Sequence, residues 1–267
     1  MTPLAKLIAD VAVPPGQLAL FWLGGAGFVL KAAGSPTVAI DPYLSDSLDH
    51  YYSWKRLPLS PIPLAPGDLG ADIVLTTHAH EDHLDPETIP SLAQSSNAVF
   101  VGPGMCAQTM RDWGIPEPRI VQLDRGERRE ILGVEIAAVL AHHVSNAGAQ
   151  TPDAVGHLVD VGGIRVYHSG DTLLHPDLHS IRGARPDVML ICINGGYGNM
   201  NPSDAAELAA AIEPAVVVPM HWGLVAENTA DPATFVRALI ATGSPARPLV
   251  MLPGDCIVST FGRAPAC

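Results

Sequence analysis

Thr77-His78-Ala79-His80-Glu81-Asp82-His83 is the stretch from which this chain is best read. Four potential metal ligands, His78, His80, Asp82 and His83, fall within six residues. The apolar, β-branched run Ile73-Val74-Leu75-Thr76-Thr77 precedes them and reads as a buried strand. Asp85-Pro86-Glu87 follows and reads as the N-cap, first-turn proline and acidic first turn of a helix. The ligands are therefore expected on a loop between a strand and a helix, where consecutive side chains can splay toward one point. Imidazole with carboxylate suits zinc, manganese or iron better than magnesium or calcium. Four unrelated surface polar residues would be the bland alternative, but histidine is scarce and an H-x-H-x-x-H spacing with an interposed Asp seldom arises without a metal.

Composition limits the partners. The 267 residues fit one α/β domain, and no stretch reads as a linker between two. With 27 acidic against 15 basic residues the net charge is −12, which repels a polyanion unless a basic patch compensates. Arg125-Gly126-Glu127-Arg128-Arg129 carries its own acid and reads as a solvated turn, so no nucleic-acid partner is expected. Met1 to Asp10 holds no apolar stretch long enough for a signal peptide or a transmembrane helix. A soluble, cytoplasmic protein with a small-molecule substrate and no membrane partner is the expectation, with the oligomeric state open and a homo-oligomer included. Cys106, Cys192, Cys256 and Cys267 are scattered without a C-x-x-C pair and read as reduced thiols, Cys192 as core filler inside Val188 to Ile193.

Outward from the histidine stretch, residues 18–41 read as an antiparallel meander: Leu18 to Leu23, Gly27 to Lys31 and Thr37 to Asp41, parted by glycine turns. Residues 42–70 hold five prolines and the aromatics Tyr43, Tyr51, Tyr52 and Trp54. Such a long irregular segment is either a functional lid loop or a structural wrap. As a lid it would offer Tyr51, Trp54, Lys55 and Arg56 to a substrate. Helix and strand then alternate: a strand at Asn97 to Val101, a helix at Pro103 to Trp113, and strands at Arg119 to Leu123 and Val134 to Ala141, the latter ending in His142-His143. Strands at Val155 to Val161 and Ile164 to Tyr167 follow, and His168-Ser169-Gly170-Asp171 succeeds the second. A strand at Asp187 to Ile193 and a helix at Pro202 to Ile212 lead to Ala215 to Met220, which delivers His221. A helix at Asp231 to Ala241 and strands near Leu249 to Leu252 and Cys256 to Thr260 close the chain. The pattern suggests an αββα sandwich, two mixed β-sheets flanked by helices.

His78, His80, Asp82, His83, one of His142 and His143, Asp171 and His221 each follow an apolar strand, which chance placement would not give. Six or seven ligands exceed one closed tetrahedral zinc. Two divalent transition metals about 3.5–4 Å apart, sharing a carboxylate, would use them all. His168 reads as a donor that orients a ligand, His157, His175 and His179 as surface or partly buried side chains, and His50 as a remote candidate for substrate.

On these pieces the chain resembles the metallo-β-lactamase-fold hydrolases: Thr77 to His83 matches their H-x-H-x-D-H signature, Tyr167 to Thr172 the strand that carries their bridging Asp, and Pro219-Met220-His221 their final His. Phe21-Trp22-Leu23-Gly24, Trp113-Gly114-Ile115-Pro116 and Ala230-Asp231-Pro232 resemble the L-ascorbate-6-phosphate lactonase group and its uncharacterised relatives. The resemblance implies that His78, His80 and His143 hold one metal and Asp82, His83 and His221 a second, with Asp171 bridging. It favours His143 over His142, and strand alternation turns one of the two away. It also implies zinc or manganese, with iron an alternative.

The activity so implied is hydrolysis by a metal-activated water, with Asp82 and Asp171 catalytic and Asp82 handing a proton to the leaving alkoxide. A small lactone, sugar-derived or phosphorylated, is the simplest substrate, and Lys55, Arg56 and Arg111 are the candidate cations for a phosphate. A phosphodiesterase of the same fold is the runner-up. A redox or metal-sensing protein on this scaffold is the rival from another class, although the family's di-iron oxygen reductases carry a Glu where His80 stands.

Overall fold

The computed structural model describes residues 1–144 and 151–261. Helix α1 (Pro3–Asp10) leads into β1 (Leu18–Gly24), β2 (Gly27–Ala32) and β3 (Val38–Ile40), the antiparallel meander. Then come α2 (Ser47–Tyr52), β4 (Ile73–Leu75), α3 (Thr88–Ser95), β5 (Val99–Gly102), α4 (Gly104–Asp112) and β6 (Ile120–Gln122). The second half runs β7 (Arg128–Ile131), β8 (Val134–Leu140), β9 (Val155–Val161), β10 (Ile164–His168), β11 (Val188–Cys192), α5 (Pro202–Ile212), β12 (Val216–Met220), α6 (Pro232–Ala241), β13 (Arg247–Pro248) and β14 (Cys256–Ser259). The strands form two seven-stranded mixed sheets, ordered β14-β1-β2-β3-β4-β5-β6 and β13-β12-β11-β10-β9-β8-β7.

Alternation along β1 shows how the layers are built, because successive side chains of a strand face opposite ways. Leu18, Leu20 and Trp22 join a core shared with Val159 and Val166 of the second sheet. Ala19, Phe21 and Leu23 pack instead with Leu4 and Ile8 of α1, Ile89 and Leu92 of α3, and Met110 of α4. Both faces of β1 are thus buried, which is why it reads as an unbroken apolar run. The far side of the second sheet is closed by Leu208 and Ile212 of α5 and Phe235 and Leu239 of α6. The αββα expectation holds.

Several local expectations do not. Residues 42–70 include the short helix α2 and a 3₁₀ turn at Pro66–Asp68, so the prolines punctuate structure here. Helix α3 starts at Thr88 rather than at Pro86, because the Asp85 carboxylate is taken up by Thr88 Oγ1, Ser45 Oγ and the Glu87 N–H in a turn ahead of it. Arg128 and Arg129 lie in β7, paired with β8, and not in a solvated turn. No strand forms at 249–252. Pairing with β12 covers only Arg247 and Pro248, after which Leu252 N–H bonds Asp255 in the turn before β14. His157 is fully buried, its Nε2 3.0 Å from the Thr76 carbonyl of the other sheet. Cys106 and Cys192 are buried thiols, and Cys267 lies outside the described residues. Among the described residues no helix is long and apolar enough to cross a membrane.

Candidate metal centre

Five strands deliver polar residues to one rim. β3 is followed by Asp41, β4 by the loop carrying His78 to His83, β8 by His143, β10 by Asp171 and β12 by His221. Two of these residues depart from ordinary backbone: Asp41 has φ +44° and His221 φ +63°. Left-handed backbone in such residues is uncommon and gathers where a site aims a side chain. Before Asp171 the turn requires glycine, since a Cβ on Gly170 would sit 2.7 Å from the Val155 carbonyl oxygen.

Ligand atoms of His78, His80 and His143 gather within 4.8 Å of one another, and so do those of Asp82, His83 and His221. His78, His83 and Asp171 form a third such set and connect the other two. Asp171 Oδ1 stands 3.3 Å from His83 Nε2 and 3.4 Å from His221 Nε2, and Oδ2 stands 4.0 Å from His143 Nε2. All these residues are buried except His80 and Asp82, which are partly open. His142 turns outward and stacks on His175 at 4.8 Å, its own N–H bonded to Thr172 Oγ1.

Whether the residues fit a metal can be asked of their outer nitrogens. His83 Nδ1 lies 2.7 Å from Asp41 Oδ2, His143 Nδ1 3.2 Å from the Gly198 carbonyl and His78 Nδ1 3.1 Å from Thr77 Oγ1. Donation of Nδ1–H to these acceptors turns the Nε2 lone pairs inward. His78 Nε2 then meets His80 Nδ1 at 2.9 Å and His83 Nε2 meets His221 Nε2 at 3.3 Å, acceptor facing acceptor unless a cation or a proton lies between. Asp171 Oδ1 is buried with no hydrogen bond of its own. This nitrogen and carboxylate set fits divalent transition metals.

Without a metal, protons take the cation's place. Burial opposes charge on His83, but the carboxylates of Asp171, Asp82 and Asp41 outweigh it and raise the imidazole well above its usual value. His221 is raised by Asp171 and Asp82 against the same burial. Asp82 responds in kind: burial would lift it, yet His83 and His221 hold it at about 2. Burial, helped by neighbouring imidazoles, lowers His78 and His143 and disfavours their charged forms.

Reading the sequence alone misses two residues here. Asp41 accepts hydrogen bonds from the Thr77 N–H at 2.8 Å and Thr77 Oγ1 at 2.7 Å besides facing His83. Asn199 donates Nδ2–H to Asp171 Oδ2 at 2.7 Å. For Asp41 the available signal was an acid directly after an apolar strand, the feature shared by the ligands; Asn199 offered none. His168 orients no ligand side chain. It bonds the Ala26 carbonyl at 2.8 Å and takes the Gly170 N–H at 3.1 Å, so it braces the turn that carries Asp171.

A cavity of about 430 Å³ opens over this floor. Its lining includes His80, Glu81, Asp82, His143 and Asp171 below, with Leu48, Tyr52, Trp54, Tyr197 and Asn228 around them. Of the four residues proposed to touch substrate, only Trp54 belongs to the lining. Tyr51 is 60% exposed and Lys55 is exposed, both outside it. The Arg56 guanidinium is directed at the Ser45 and Tyr43 carbonyls, at Asp46 and at the face of the Tyr43 ring. Arg111 is engaged with Glu117, and His50 with Glu87.

Two mixed sheets flanked by helices, with His and Asp clusters at one rim, define a metallo-β-lactamase-fold hydrolase, and residues 19–221 match the family model described as a Beta-lactamase superfamily domain. Within that superfamily the chain belongs to the UPF0173 metal-dependent hydrolase family. It is 30% identical to the member from Cupriavidus taiwanensis, over 95% of this chain and 92% of that protein. It is 31% identical to the member from Methanopyrus kandleri, over 88% and 96%. Among solved structures, the metallo hydrolase Igni18 from the archaeon Ignicoccus hospitalis superposes with a TM-score of 0.74 at 26% identity, covering 91% of this chain and 98% of the other.

Proposed function

We propose that the chain cleaves the ester bond of a small lactone, using two divalent transition-metal ions, zinc or manganese, with iron an alternative. His78, His80 and His143 would hold one ion, Asp82, His83 and His221 the other, and Asp171 would bridge them. When bound, such ions lower the pKa of a water from 15.7 toward ~7 and polarise a carbonyl. The observation that carries the reading is the placement of Asp171 between two ligand clusters directly beneath a cavity.

The chain's own contribution to proton transfer centres on Asp82. Its carboxylate lies 3.2 Å from His221 Nε2 and keeps 16% of its side chain open to the cavity. Because Asp82 is ionised at neutral pH, it must accept a proton before it can give one to a leaving alkoxide. The proton the water loses is the natural source, so Asp82 acts first as base and then as acid. Asp171, held by Asn199, keeps its orientation while the proton moves. The resemblance to the ascorbate-phosphate lactonase group supports ester cleavage, while the phosphate such a substrate carries finds no cation in the described lining.

The test is a panel of small lactones and a phosphodiester such as bis(p-nitrophenyl) phosphate, assayed on protein stripped with chelator and reloaded with zinc or manganese. Lactone turnover should exceed phosphodiester turnover and vanish with the metal. In metal-replete Asp82→Asn it should fall roughly 10²–10⁴-fold. Phosphodiester turnover well above lactone turnover would transfer the function to a phosphodiesterase, and no hydrolysis at all would favour a redox or sensing role.

A further inference from the structure

Tyr197 carries φ +54° between Gly196 and Gly198, a left-handed backbone that a bulky aromatic residue rarely adopts. Strain of this kind is kept where the surrounding structure fixes a side chain for a purpose. Here it sets the Tyr197 ring 4.9 Å from the ring of Trp54, which comes from a different part of the chain. Trp54 in turn lies 5.7 Å from Tyr52, whose hydroxyl donates to Glu81 at 3.0 Å. Trp54 packs against an apolar cluster of Tyr43, Leu48, Leu224 and Val225. Three aromatic rings, Tyr52 from the end of α2, Trp54 just after it and Tyr197 from a distant loop, thus line the same cavity as the candidate ligands His80 and His143.

Charge on that cavity points the same way. With Asp82 and Asp171 assigned to the metals, Glu81 is the remaining acid of the lining, and among the described residues no Lys or Arg lines it. Arg56, the nearest candidate in the sequence, is spent on backbone carbonyls and Asp46. An anionic group seated against the aromatic wall, away from the metal floor, would meet Glu81 and no Lys or Arg of the lining.

We infer that the cavity selects an uncharged substrate that bears a flat aromatic group next to the bond to be cleaved, with Trp54 and Tyr197 as the specificity-determining residues. The inference rests on the hydrolase reading of the same cavity. The flat group stacks on the Trp54 and Tyr197 rings, which sets the carbonyl over the ligand floor. Aromatic pairs favour offset or edge contacts, and the two rings, 4.9 Å apart and tilted by 58°, already meet in that way, so a flat group would extend the pair on its cavity side.

Binding can be measured without asking for turnover. Oxindole and pyrrolidinone are lactams that differ by one fused benzene ring, and a carboxylated oxindole adds a charge. Calorimetric titration of metal-loaded protein, with metal content verified by elemental analysis, should give oxindole at least roughly tenfold tighter than pyrrolidinone and the carboxylated probe weaker than oxindole. Trp54→Ala and Tyr197→Gly should each erase that preference. Tyr197→Gly should do so at an unlowered melting temperature, since glycine suits the left-handed backbone. If Tyr197→Gly fails to fold, Trp54→Ala decides alone. Equal affinity for oxindole and pyrrolidinone, tighter binding of the charged probe, or a preference that survives in the folded variants would overturn the inference. Turnover of benzofuranone and butyrolactone separates the two readings. Oxindole preference with neither lactone cleaved retires the lactonase reading and upholds the aromatic wall, whereas equal cleavage of both with no oxindole preference does the reverse.

Discussion

Asn199 donates its side-chain amide to Oδ2 of Asp171 at 2.7 Å, and this bond decides which carboxylate oxygen faces His83 and His221. With Oδ2 engaged, Oδ1 is left buried, without a hydrogen bond, 3.3 Å from His83 Nε2 and 3.4 Å from His221 Nε2. Removing the amide frees the carboxylate to rotate. Partners of this kind around metal ligands are worth about 10–100-fold in affinity. Asn199→Ala should therefore weaken metal binding by that factor in a competition titration against a chromogenic chelator, and unchanged affinity would deprive Asn199 of this role.

Metal loading should depend on pH, and unequally for the two clusters. His83 and His221 are raised above the ordinary imidazole value by the carboxylates around them, despite burial, so protons compete with a metal for both. His78 and His143 are lowered, chiefly by burial, so protons compete less for them. Affinity on the Asp82, His83 and His221 side should thus fall more steeply as pH drops, because protons compete there. Titrations at about pH 6.5 and about pH 8.5 should show one class of site weakened far more than the other, with proton release detectable by calorimetry in buffers of different ionisation enthalpy. Two sites with equal pH slopes would contradict the assignment of charge.

Acid should unfold the chain partly through His168. Burial holds this imidazole at about 4, and its two nitrogens serve the Ala26 carbonyl and the Gly170 N–H, the second of which a protonated ring cannot accept. A depressed folded value means the unfolded chain binds the extra proton, so the contribution is complete above about pH 6.5 and is lost as pH falls through about 4. The size is of order 3 kcal/mol. Denaturant unfolding of metal-free protein across that range should show the loss. His168→Asn, which keeps an acceptor for Gly170 but does not titrate, should be less stable at neutral pH and show a shallower slope.

Much of this was legible in the sequence because the fold advertises its site in local patterns. His78 to His83, Asp171 and His221 each follow an apolar run, and a ligand after a strand is a feature that neighbouring residues declare. The sandwich followed from the same runs, since β1, β4, β11 and β12 are buried on both faces and carry no polar alternation. What stayed hidden depends on residues far apart in the chain. Asn199 meets Asp171 across 28 positions, and Trp54 meets Tyr197 through no motif at all. Arg56 looked like a free cation because nothing in its neighbourhood says that the Ser45 and Tyr43 carbonyls turn toward it. Buried His157 looked superficial because its partner, the Thr76 carbonyl, belongs to the other sheet.

The central claim is a pair of metals on two ligand clusters that share Asp171, and elemental analysis of the reconstituted chain and four variants tests it most directly. The wild type should hold two ions per chain. His83→Ala and Asp171→Ala should lose at least one, and so should His143→Ala, whereas His142→Ala should keep both because its ring stacks on His175 away from the clusters. Unchanged stoichiometry in both His83→Ala and Asp171→Ala, or a metal lost from His142→Ala and retained in His143→Ala, would contradict the account.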